Sequence, residues 1–180
     1  DRFLNNEDNF DGDEFIFQYD KNFINPKQKF DFIIQFSNGS SDNKFEYWTN
    51  PIIGFENLSD FSKKIDQSLD ENINNRSDFN IKADYVHPFK NKETLEIGFD
   101  SKFRNFDQNV NSFNYDISTS SFLNDERYSN HFIYDEEIIS AYAQISSNSR
   151  KVNFNIGTRF ENVLMQSRLI DSNELIKNPY

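Results

Sequence analysis

The stretch that decides the fold is residues 81–103, IKADYVHPFKNKETLEIGFDSKF. Ile81, Ala83 and Tyr85 alternate with Lys82 and Asp84 up to a His-Pro-Phe break. After a handful of polar residues, Leu95, Ile97, Phe99 and Phe103 alternate with Glu96, Asp100 and Lys102. A period of two means that successive side chains point to opposite faces, so this is a β-hairpin with one apolar and one charged face. What lies against the apolar face determines what kind of protein this is.

Composition supports strands throughout. Phe occurs 21 times and Ile 18 times against 8 Leu, so the apolar residues are mostly those that favour a pleated surface over a helix. The net charge of -11, with no basic stripe, argues against a nucleic-acid partner. Cysteine is absent, which excludes disulfides and thiolate metal sites. No run of about 18 apolar residues exists to cross a bilayer as a helix, and no signal peptide is visible. The chain opens on the polar run DRFLNNEDNFDGDEF without Met, and is therefore expected to be an internal segment of a longer protein.

The same alternation recurs in three pairs. Phe15, Phe17, Tyr19 and Phe23 are followed, after INPKQ, by Phe30, Phe32, Ile34 and Phe36. The opening pair adds Phe79 to its first arm. In the third pair Ile139, Ala141, Ala143 and Ile145 share a face, and so do Val152, Phe154, Ile156 and Phe160 beyond the turn SNSR. Turns within pairs are short and rich in turn-forming residues. Residues 38–76 and 105–131, which separate the pairs, read as long loops on one side of the sheet, and loops of such length are usually functional or disordered. One holds NLSDFSKKIDQSLDEN, residues 57–72, where Leu58, Phe61, Ile65 and Leu69 predict a short helix packed on a loop, with an irregular segment as the alternative. The other begins with Phe113, Tyr115 and Ile117, which predict a strand projecting beyond the main sheet.

Two environments fit one-sided alternation. A soluble antiparallel sheet buries its apolar face on a core. That reading leads to a secreted or surface β-sandwich for carbohydrate binding or adhesion. Alternatively the sheet is the wall of a transmembrane β-barrel, where only every second residue meets lipid and the average composition stays polar. Dense mixed charge on one face, near-continuous aromatic and branched residues on the other, and no sequence for a second covering layer favour the barrel. The expected fold is an all-β, antiparallel up-and-down barrel segment of about six strands in three hairpins, with short periplasmic turns and long extracellular loops.

Specific motifs agree. Asp84, Tyr85, His87, Pro88 and Phe89 at the turn, then Leu95, Glu96 and Gly98, then Phe132, Tyr134, Glu136, Ile138 and Tyr142, and finally Gly157, Arg159 and Glu161 together resemble the outer-membrane β-barrel domain of TonB-dependent receptors. The resemblance covers residues 77–161, and it departs from the family pattern at Thr158 and Asp100. It implies a barrel of about 22 strands, of which residues 1–180 would form part of the wall in the outer membrane of a Gram-negative cell. The plug domain and the remaining strands would lie outside this chain. The implied role is import of a scarce nutrient such as a siderophore, glycan or peptide. The implied partners are outer-membrane lipid, a TonB-type energy-coupling protein acting through the plug, and a surface lipoprotein.

Catalytic chemistry is not legible. His87 and His131 are far apart, and His87 before Pro88 reads as a turn residue. Glu136 and Glu137 read as lumen or rim acids paired to a neighbouring strand. Glu7, Asn9, Asp11 and Gly12 suggest a calcium loop but lead to Gln18 where a bidentate Glu is required. No phosphate loop, nucleophile elbow or zinc spacing occurs, so an enzyme, a cofactor and a metal are not expected. Tyr47, Trp48 and Phe55 in the first long loop are candidate ligand contacts, but loop packing combined with membrane-interface anchoring is the preferred reading of them.

Overall fold

A computed structural model describes residues 2–49, 65–90, 93–148, 153–170 and 174–179. They form one antiparallel sheet. Its strands are β1 (Arg2–Asn22), β2 (Lys29–Thr49), β3 (Ile65–Pro88), β4 (Glu93–Asp116), β5 (Ser121–Asn124), β6 (Asn130–Asn148), β7 (Asn153–Leu169) and β8 (Glu174–Pro179). The order is β1-β2-β3-β4-β6-β7-β8, with β5 paired to β4 alone. The three expected hairpins are β1–β2, β3–β4 and β6–β7. β5 and β8 add to the six strands read from the sequence.

Register turns the alternation into continuous faces. One row crosses the sheet as Tyr19, Phe32, Ala83, Phe99, Ala141 and Phe160, alternating large and small from Phe32 onward so that each of its phenylalanines sits beside an alanine. Rows of the same kind run from Phe79 to His87 along β3. At ~3.3 Å per residue this band is about 26 Å along the strands, or about 20 Å high at the ~40° tilt usual in membrane barrels. It stops abruptly. The next row outward is Asp13, Asn38, Ser77, Asn105, Asp135 and Gln166.

Among the described residues no hydrophobic side chain is buried, and no second layer covers the band. Ile97 is 42% exposed, Phe99 40% and Phe154 38%. A water-soluble sheet would leave such a band as a patch far larger than monomers tolerate. Hydrocarbon on the outside accounts for it, because a sheet can satisfy its backbone in lipid only as part of a closed wall.

Two expectations need correction. The strands do not end at the band: β2, β3 and β4 continue as a polar ribbon through most of what read as loops 38–76 and 105–131. With both ribbon faces in water, the hydrophobic period disappears from the sequence although the backbone ladder continues. Side chains cross-link it instead, Ser112 Oγ donating to Asp70 Oδ1 at 2.6 Å and Gln108 Nε2 to Asn72 Oδ1 at 3.1 Å. The predicted helix is absent from residue 65 onward, where Ile65–Pro88 is strand and Leu69 pairs with Phe113. Cross-strand pairing overrides a four-residue apolar spacing. Leu58 and Phe61 lie outside the described residues. The projecting strand at Phe113 and Tyr115 is present, while Ile117 falls in the four-residue turn to β5.

Candidate functional site

Opposite the apolar band lies the polar face, and there the register gathers the motif residues. Asp84, Gly98, Tyr142 and Arg159 stand side by side on β3, β4, β6 and β7. The Tyr142 hydroxyl donates to Asp84 Oδ1 at 2.7 Å. Its ring crosses over Gly98, where an added Cβ would collide with Tyr142 Cε1. Gly98 is therefore the recess that lets a tyrosine reach a carboxylate two strands away. Lys82 Nζ lies 3.0 Å from Asp84, and Arg159 Nη2 2.7 Å from Glu161. Glu96 faces Gln144, which in turn faces Gly157.

A second network lies nearer the outer edge of the band. Arg76 Nε donates to Asp78 Oδ2 at 2.6 Å, Arg104 Nε lies 3.2 Å from Asp78, and Arg104 Nη1 donates to Glu136 Oε2 at 3.0 Å. The Tyr134 hydroxyl also donates to Glu136, at 3.1 Å. Each of these partly exposed pairs contributes little alone, but together they tie three strands in register. Glu136 thus has the cross-strand base expected of it. Glu137 faces the other way, at the edge of the apolar band between Phe103 and Leu164.

The turn motif makes an aromatic cluster at the opposite edge. Phe23 meets Tyr85 edge-on at 6.2 Å, and His87 meets Phe89 at 4.9 Å. Gln28 Nε2 donates to the Tyr85 hydroxyl at 2.7 Å, and that hydroxyl lies 3.1 Å from His87 Nδ1. Phe89 N donates to Glu93 O at 2.8 Å, closing the turn after Pro88. Leu95 sits opposite His87 in the lowest row of the band. Rings that carry a polar handle suit a membrane–water boundary.

The structure separates the candidate ligand contacts. Tyr47 and Trp48 are consecutive on β2 and so point to opposite faces. Trp48 stacks on Phe3 at 5.7 Å, on the same side as the apolar band. Phe55 lies outside the described residues. His131 Nε2 is 2.8 Å from Asp107 Oδ1, in the outer ribbon. Glu7, Asn9, Asp11 and Gly12 are straight strand in β1, not a loop, and among the described residues no group of three or more His, Asp or Glu could hold a metal ion. Sequence reasoning missed Phe10, which the register sets beside the paired glycines Gly12 and Gly39 on the polar face. Their pairing is invisible without the register, and the only trace is an aromatic residue out of phase with Phe15 and Phe17.

Comparison with known proteins bears on this arrangement. In a solved structure of the ferric citrate transporter FecA in its unliganded form, a region matches with a TM-score of 0.44 and 12% identity, covering 95% of this chain and 32% of that one. This chain therefore spans about a third of that transporter's length. None of the curated proteins matches it in sequence. A model of the outer membrane protein β-barrel family matches residues 21–180. With lipid-compatible residues on one face, a charged network on the other and a family match over most of its length, the chain belongs to the outer membrane protein β-barrel family and lies in the outer membrane.

Proposed function

We propose that this chain is part of the barrel wall of a TonB-dependent receptor that imports a scarce nutrient, without catalysing a reaction on it. One observation carries the reading: a sheet with no buried apolar core among the described residues, whose two faces divide into an apolar band and a hydrogen-bonded charged surface. In a wall the first face meets lipid and the second lines the lumen. The motif resemblance over residues 77–161 supports energy coupling, through a plug domain in the same protein, to a TonB-type partner of a Gram-negative cell. β1 and β8 are open edges. Because the hydrocarbon region tolerates no unpaired edge, the reading assigns further strands to the complete wall and makes residues 1–180 a partial barrel domain. A surface lipoprotein over the outer ribbon is the remaining partner in this reading.

The test is a transport assay on cells carrying the protein. Uptake of its nutrient is expected to stop when the inner-membrane proton gradient is collapsed with an uncoupler, while surface binding persists. Uptake indifferent to the gradient would identify a passive channel instead. The extracted protein is also expected to migrate faster on gels unboiled than boiled, as closed barrels do.

A further inference from the structure

We propose that the outer rim of the lipid-facing band carries a headgroup subsite centred on Glu137, which takes a lipid whose amine stands beside a phosphate. The inference rests on the assignment of this face to lipid and not on what the protein imports. The top row of the band runs Phe15, Phe36, Phe79, Phe103, Glu137 and Leu164, one carboxylate in a line of apolar side chains. The row beneath it breaks at the same strands, where Ser101 and Asn162 stand on either side of Ile139. At ~3.3 Å per residue and ~40° tilt, that row lies about 5 Å below the rim. The next row, from Tyr19 to Phe160, carries no charge and no amide. A polar notch two rows deep is thus cut into β4, β6 and β7 at the top of a surface suited to hydrocarbon. These three strands are paired on both sides, so further strands added to the wall at β1 and β8 leave the notch as it is.

Ionisable groups that face lipid are costly, and what answers them identifies their role. Among the described residues no base stands beside Glu137. Phe103 and Leu164 flank it, Asp135 and Ile139 lie above and below it on its own strand, and the four diagonal positions hold Ser, Asn or Gln. Asp135 already accepts from Asn105 Nδ2 at 2.7 Å. An anionic headgroup would be repelled by both carboxylates, and an uncharged one would leave Glu137 unpaired. An ammonium pairs it and brings three donors to a notch rich in oxygen acceptors. The phosphate has a place as well. Arg168, one row further out on β7, reaches Asp135 only at 3.6 Å, and its buried Nε has no acceptor. Such an orphan donor is satisfied by a phosphate oxygen. A groove of about 580 Å³, lined on this face by Asp135, Glu137, Phe36, Phe79, Phe103 and Leu164, puts the carboxylates and the acyl-compatible side chains in one recess of ligand size. A bare metal ion does not fit, since among the described residues no group of three or more His, Asp or Glu could hold one. A partner protein would leave polar breaks over many rows, not two at the rim.

The experiment uses the full protein extracted from the outer membrane, with a metal chelator present throughout. It is exchanged into an equal mixture of phosphatidylethanolamine, phosphatidylcholine and phosphatidylglycerol with identical chains, and native mass spectrometry reads which lipid stays bound. Phosphatidylethanolamine is the expected adduct. Phosphatidylcholine should be held less, because its quaternary ammonium has no N–H to donate, and phosphatidylglycerol less still. Glu137→Gln should lower the preference about tenfold, the loss of one charge-assisted hydrogen bond. Glu137→Leu, which completes the apolar row and so keeps the fold, should abolish it, while Glu96→Gln on the lumen face should bind as the wild type does. Phosphatidylcholine or phosphatidylglycerol retained as well as phosphatidylethanolamine, or a preference unchanged in Glu137→Gln and Glu137→Leu, would overturn the subsite and leave the wall intact. A wild-type protein that retains no lipid and migrates alike boiled and unboiled would sink the lipid-facing reading itself.

Discussion

At the scale of single residues, Gly98 has the sharpest requirement. The Tyr142 ring occupies the space a side chain would need, and the Tyr142 hydroxyl holds Asp84. Gly98→Val should therefore destabilise the wall by roughly 1–3 kcal/mol through overpacking, seen as a lower temperature at which the unboiled form is lost on gels. Tyr142→Phe, which keeps the ring and removes only the donor, should cost about 1.5 kcal/mol. Combining Gly98→Ala with Tyr142→Ala should restore more stability than the two single costs predict, because the second change vacates the clash. An additive double variant would show that the ring does not depend on the glycine. Asp84, Gly98 and Tyr142 were each visible as motif positions in the sequence. That they form one row across three strands was not, since β4 and β6 are joined by the long connection through β5 and not by a tight turn that would set their register. Gly12, likewise, could be seen only as part of a failed calcium loop.

At the scale of elements, the sequence revealed those parts of the strands that have lipid on one side and water or protein on the other. Phe30 to Phe36 and Leu95 to Phe103 announce themselves, whereas Ser37 to Lys44 and Asn105 to Ser112 are just as much strand and carry no apolar period. What organises the outer ribbon is polar, and Asp125 is its main fastener. Asp125 N donates to Ser112 O at 2.7 Å, its carboxylate accepts from Asn114 Nδ2 at 2.6 Å and from Arg127 Nη2 at 2.6 Å, and its carbonyl accepts from Ser129 N at 3.0 Å. The Arg127 side chain, above all, lowers the Asp125 carboxyl to about 2. A carboxyl depressed in the folded state stabilises it fully above the ordinary value of about 3.8 and loses that contribution as pH falls through the folded one. Because these 180 residues contain no cysteine, a nitroxide on Thr119→Cys reports the β5 turn. Its mobility should be low and constant from pH 7 to about 4 and should rise between about pH 4 and 2. Asp125→Ala should be mobile throughout. A transition near neutrality, or none at all, would show that Asp125 is not what fastens the ribbon.

At the scale of the whole molecule, everything depends on which face meets lipid. Phe99 lies in the middle row of the band and Lys102 on the opposite face of the same strand. Phe99→Arg should cost about 2 to 4 kcal/mol in refolding into vesicles, the penalty of a charge at the bilayer midplane, while Lys102→Ala should be nearly silent. Equal effects would remove the distinction between faces. The open edges extend the same logic. β1 presents 21 residues to pairing on one side only, and β8 is the other end of the order. In lipid, each unpaired backbone group along such an edge costs several kcal/mol, which outweighs anything the apolar band gains by insertion. A polypeptide of these 180 residues alone should thus fail to enter vesicles as a heat-modifiable monomer and should associate through its edges in detergent. If it inserted as a stable monomer, the edges would have to pair with each other, and the lumen would become too narrow to pass a nutrient.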